Sequence, residues 1–309
     1  MDIKIAQTLF QFVDAALEST LVTGTAKVML GVGAIFGTMW LIHFTLRSIQ
    51  WLYQGMNAAF KDVVFEIAKM AFIAACAFNV GWYIQTIVPF VTGFPSWMGG
   101  VLSGQEGGQI NQIDSMISSY VESLKSLISG MEFSWGSMGK SLMAILGVMF
   151  YLMGGIPFIL ISVGTLVVLK AATTIMLAVG PLFIAFALFD QTRQWFWGWV
   201  SLVGGFMLTQ VLFAVILALE IAFINTVIIK GGVIDTSLIG TISILVYFAA
   251  FTLLATELPN YAASVMGGGS SGGVTGVRGI LGKTMGVGSA KNMAGAVAKL
   301  LARRRNSIK

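Results

Sequence analysis

KAATTIMLAVGPLFIAFALFDQTRQWFWGWV, residues 170–200, decides the fold. Its apolar run at 171–189 is about long enough to cross a bilayer as a helix. It ends in Asp190, Gln191, Thr192 and Arg193, and Trp195, Phe196, Trp197 and Trp199 follow at once. An Arg beside clustered indoles marks a membrane–water interface, where indole rings prefer to sit. Apolar sequence then resumes. Two readings fit: an ordinary interfacial turn between spans, or a turn with a job of its own.

Composition extends that reading to the whole chain. Of 309 residues, 57% are hydrophobic and 10% charged, where soluble domains carry about 25% charged residues. The mean hydropathy is +0.88. The expected class is an all-α polytopic membrane protein with five to six hydrophobic segments. The lone cysteine, Cys76, makes no disulfide within the chain. Residues 1–27 carry Asp2, Asp14 and Glu18 and lack a signal peptide's compact apolar region, so the first span is expected to act as an uncleaved insertion signal. One His and one Cys, with no phosphate loop, no metal-spaced ligand set and no GxSxG, argue against an enzyme, a metal site or a cofactor.

Five regions are expected. Residues 1–27 form an amphipathic helix with Ile5, Leu9, Phe12 and Ala16 at helical spacing, too polar to span, lying on the membrane or on a partner. Residues 28–92 hold two spans, at 28–46 and about 63–88, joined by an amphipathic connector. Glu66 and Lys69, three apart in the second span, share a helix face and can pair. The alternative is an ion site. His43 reads as an interfacial polar residue. Residues 93–140 form a polar loop carrying a stripe of Ile110, Ile113, Ile117, Tyr120, Leu124, Leu127 and Met131 at alternating spacings of three and four. That stripe fits self-association as a coiled coil, and equally one amphipathic helix lying on its own protein. Residues 141–266 form a helix cluster in which Glu220 is the most isolated acid, read either as hydrogen-bonded and structural or as buried and pore-facing. Residues 267–309 are a Gly-rich linker and tail with eight Lys and Arg and no acid.

Charge sets the topology. The tail, Arg47 and Lys61 belong in the cytoplasm by the positive-inside rule, and the 93–140 helix in the periplasm. An odd number of crossings must then follow that helix, yet four apolar segments do. The Gly/Pro-broken region 141–189 is expected to lack one crossing, which puts the turn at 193–199 on the cytoplasmic side.

Gly180-Pro181-Leu182-Phe183-Ile184-Ala185, then Leu188-Phe189, Thr192-Arg193, Phe196 and Trp199 resemble the TrbL family. These are the polytopic inner-membrane subunits of bacterial type IV secretion and conjugation machines, the sixth VirB-type component. The motif covers about twenty residues, and the layout agrees over most of the chain. The resemblance implies a non-enzymatic subunit that helps pass DNA or protein substrates and supports pilus biogenesis. It also implies a homo-oligomeric ring, with pilin subunits, bitopic scaffold proteins and secretion ATPases as neighbours. Within it, Arg193, Trp195, Trp197 and Trp199 are the expected functional turn. A small-solute transporter, with Glu66, Lys69 and Glu220 as its polar site, is the alternative.

Overall fold

The computed structural model describes residues 4–54, 56–104, 109–129, 138–230, 233–234 and 237–267. Met131 and the basic tail lie outside them. The described chain is helical apart from a two-residue antiparallel pair, β1 (Ile229–Lys230) with β2 (Val233–Ile234). Four helical stretches are long and apolar enough to span a membrane, or five if a bent pair counts as one. The all-α polytopic class is therefore correct.

Helix α1 (Ile5–Ser19) passes through one π-helical turn into α2 (Thr25–Gln54). Helix α1 is docked in a way its sequence face does not suggest. Ile5, Leu9 and Phe12 point outward, while Ala6 and Phe10 are buried. The cause is Asp114, whose carboxylate accepts from the amides of Ala6 (2.7 Å) and Gln7 (3.2 Å). A carboxylate at a helix N-terminus satisfies orphan donors and meets the positive end of the helix dipole.

The expected connector does not exist as a separate element: α2 runs on to Gln54, and α3 (Met56–Phe78) starts two residues later. The expected second span also breaks. Asn79 adopts an extended backbone and its side chain caps α4 (Val80–Trp82). The helix resumes through a π-helical turn (Tyr83–Ile87) into α5 (Val88–Ser103), bent 66° from α3. The boundary expected at 93 falls inside α5, whose Val88, Val91, Pro95 and Gly99 are buried. The helix ends at Gly104, with φ of 66°, a conformation glycine adopts without strain.

Helix α6 (Gln109–Ser129) carries the heptad stripe, and its own chain uses it. Ile113, Ile117, Tyr120 and Leu127 are buried in one core with Phe158, Phe213 and Phe248, and Ile110 and Leu124 pack against that core. The self-association reading of this face is thus replaced by intrachain packing, because α7 (Met138–Ala178), α9 (Arg193–Phe223) and α10 (Leu238–Val265) already fill the seam. Tyr120 and Tyr151 stack at 4.6 Å, and each hydroxyl donates to the other's carbonyl. A Cβ at Gly155 would come within 2.0 Å of the Tyr120 ring, so this contact requires glycine.

Among the described residues after α6 there are three long helices and a short one, α8 (Gly180–Phe186), so region 141–189 supplies one long helix, not two. A second core joins α2, α8 and the start of α9, through Phe36, Tyr83, Ile184, Phe189, Trp199 and Val203.

Candidate functional site: the α7–α9 elbow

Helix α7 stops where its backbone loses a donor. Pro181 has no N–H, and the carbonyl it would have served four residues back is Leu177's. Tyr83 supplies the missing bond: its hydroxyl donates to the Leu177 carbonyl at 2.7 Å. One residue earlier, the Trp199 indole N–H donates to the Met176 carbonyl at 3.0 Å. The break is therefore satisfied by side chains from the bent α4–α5 segment and from α9. Gly180 lies between them. A Cβ there would sit 2.1 Å from the Tyr83 hydroxyl and 3.0 Å from the Trp199 ring. Phe183 lies parallel to Trp199 at 6.3 Å, and Phe186 meets Trp195 edge-on at 4.9 Å.

The three indoles divide by burial. Trp199 is 8% exposed, Trp195 51% and Trp197 58%. Trp199 is thus a core residue that closes the elbow, while Trp195 and Trp197 present apolar area at its rim. Arg193 pairs with Asp190, three residues before it, instead of stacking on an indole. Both partners are solvent-accessible, so the pair contributes at most about 1 kcal/mol. Thr192 ties the turn by donating to the Phe186 carbonyl at 2.8 Å.

Helix α3 reaches the same elbow. The Lys69 ammonium donates to the Leu188 carbonyl at 2.9 Å. Glu66 does not pair with Lys69, as their spacing led us to expect. Its buried carboxylate faces α2, 4.0 Å from Arg47 and 3.5 Å from His43. Spacing of three allowed the pair, but Lys69 is taken by the Leu188 carbonyl in the turn after α8. The His43 ring stands edge-on to Phe189 at 5.7 Å. His43, Arg47, Glu66, Lys69 and the 188–193 turn therefore meet at one end of the bundle, which joins two groups of residues that looked unrelated in sequence.

Glu220 is elsewhere. It is a fully buried residue of α9, and neither carboxylate oxygen has a hydrogen-bond partner among the described residues. The hydrogen-bonded structural reading of Glu220 is corrected accordingly. Tyr83, His43 and Arg47 were missed as site residues. For Tyr83 a signal was present, since Gly-Pro inside an apolar run implies an orphan carbonyl that some donor must meet. Among the described residues, no three His, Cys, Asp or Glu side chains converge to hold a metal.

A family model described as TrbL/VirB6 plasmid conjugal transfer protein matches residues 40–258. The matched stretch contains the elbow, Tyr83, Trp199 and the Glu66–Lys69 cluster. Comparison with curated proteins finds no match.

Proposed function

The chain belongs to the TrbL/VirB6 family of plasmid conjugal transfer proteins, so it is a multi-pass membrane component of a conjugal transfer, type IV secretion machine, and on that premise we propose that it is the machine's inner-membrane channel or assembly subunit. In this reading it helps pass DNA or protein substrates and supports pilus biogenesis without catalysing a reaction. Secretion ATPases supply the energy, and pilin subunits and bitopic scaffold proteins are its neighbours. The observation that carries the reading is the family match across the long helices, with the elbow at its centre.

The faces of α7 support assembly with further copies. Large apolar side chains stand exposed from Leu142 through Met153 and Leu160 to Ile175. That length of helix rises roughly 50 Å. A hydrocarbon core is about 30 Å thick, and helices tilt by up to about 40°, which covers about 40 Å. Lipid alone leaves part of this surface wet, and a homo-oligomer covers it. The transporter alternative gains no support, since Glu66 and Lys69 meet the elbow whereas Glu220 lies on the far half of α9.

Deleting the gene and scoring conjugation and pilus production separately tests the proposal. Loss of both, restored by the gene in trans, is expected. Normal transfer in the deletion strain would refute it.

A further inference from the structure

A cavity of about 360 Å³ lies beneath α1, walled by α5, α7 and α9. It falls in the range of small-ligand sites, roughly 300–1,000 Å³. Its floor is apolar, with Leu17, Leu21, Val88 and Leu166, and its polar wall holds Asp14, Glu18, Lys170 and Gln210 with Ser96 and three threonines.

The donors and acceptors on that wall do not balance. Thr92, Thr173 and Thr174 each spend the hydroxyl proton on a carbonyl one turn back in their own helix, at 2.9, 2.7 and 3.0 Å. What they offer the cavity is oxygen lone pairs, one of which, on Thr173, accepts from the Gln210 amide at 3.4 Å. Lys170 donates to Asp14 at 2.7 Å and lies over the Phe10 ring at 5.2 Å, which leaves its other ammonium protons unspent. Glu18 makes no ion pair among the described residues. Two carboxylates therefore face one ammonium. A complementary ligand brings a cationic N–H donor for Glu18 and an anion for Lys170.

We propose that this cavity seats a zwitterion made of a phosphate and a primary ammonium. The ethanolamine headgroup of a phospholipid is its membrane source, and a free phosphoethanolamine-type molecule is its soluble one. The membrane source matches α1, the helix over the cavity, whose Ile5, Leu9 and Phe12 stand exposed elsewhere along it. A choline headgroup carries the same charges but has no N–H to give Glu18. Selection between the two headgroups is therefore the diagnostic property. It is independent of what the machine transfers.

The test uses the full chain in phosphatidylcholine vesicles, with or without phosphatidylethanolamine. Lipid retained through native mass spectrometry and the thermal midpoint are both read. A charge-assisted hydrogen bond gained by one headgroup and not the other is expected to favour phosphatidylethanolamine about ten-fold. Glu18→Gln, at an exposed position that leaves the cores intact, is expected to erase that preference while the protein still folds. Free phosphoethanolamine added to the choline-only vesicles separates the sources. A raised midpoint there, also lost in Glu18→Gln, supports the same site with a soluble occupant. Equal retention of both lipids together with no response to the free molecule overturns the proposal, as does a preference that survives Glu18→Gln.

Discussion

Gly180 gives the sharpest perturbation, because one added methyl group meets two named atoms. In Gly180→Ala the new Cβ would lie 2.1 Å from the Tyr83 hydroxyl and 3.0 Å from the Trp199 ring. Overpacking of this kind costs about 1–3 kcal/mol. Tyr83→Phe removes a different term, the bond to the Leu177 carbonyl. Interhelical hydrogen bonds in membrane proteins contribute about 0.6 kcal/mol on average and up to about 1.7. The upper end applies here, since Pro181 leaves that carbonyl no backbone donor. If the sites acted independently, the double variant would lose the sum, roughly 2–5 kcal/mol. The geometry predicts otherwise. Removing the Tyr83 hydroxyl deletes the 2.1 Å contact, leaving distances of 3.0–3.1 Å that small shifts relieve. The double variant should therefore be about as stable as Tyr83→Phe alone, a coupling of about 1–3 kcal/mol. Thermal unfolding of the four proteins in one lipid closes the cycle, with immunoblots of membrane fractions as the cellular readout. Additive losses, or a Gly180→Ala protein with wild-type stability, would refute this account of the elbow.

Trp199→Ala should lower protein abundance, at a cost of about 3–5 kcal/mol for a buried aromatic, whereas Trp197→Ala should leave abundance unchanged and reduce transfer; paired immunoblots and transfer frequencies decide it. Lys69→Met should free the Leu188 carbonyl and depress transfer at normal protein level; protease sensitivity of the 188–193 turn reports it. Cys at Ile117 should fail to crosslink between copies, since that side chain is buried in its own chain; a crosslinked dimer on a non-reducing gel would reverse the assignment. A reporter fused after the basic tail, active only in the periplasm, should be silent, and activity there would overturn the cytoplasmic placement of the tail.

The class of fold was legible because hydropathy reports what a bilayer requires of a helix, and composition alone nearly settles it. That region 141–189 would supply one long helix instead of two was legible too, since four apolar segments could not satisfy the charge asymmetry. What sequence could not say was which partner each polar group would choose. Glu66 and Lys69 at a spacing of three are a pair on paper, yet Glu66 faces Arg47 and His43 of α2 while Lys69 donates to the Leu188 carbonyl in the turn after α8. The Ile110–Leu127 face shows the same limit. Periodicity identifies an apolar face but not what covers it, and here α7, α9 and α10 of the same chain do. The Trp cluster looked uniform, but position within α9 separates a buried indole with a carbonyl partner from two exposed ones. Asn79 was readable in principle, being an N-cap residue type inside an apolar run, and it is where the helix bends.

The elbow separates holding from contact. Its inner face is committed: Tyr83, Gly180 and Trp199 fill one another's space and satisfy the carbonyls that Pro181 and the end of α7 leave open. Nothing there can move without exposing a polar group in an apolar core, which is costly. Its outer face is different. Trp195 and Trp197 are half exposed, and the Asp190–Arg193 pair is accessible and weak. Lys69 bridges the two faces through a single bond from α3. Helix α2 reaches the interior directly, through Phe36 against Phe186 and Phe189. The division between the two faces explains why motif residues should fail in two ways when replaced. The inner ones take the protein away, and the outer ones leave a stable protein that transfers poorly.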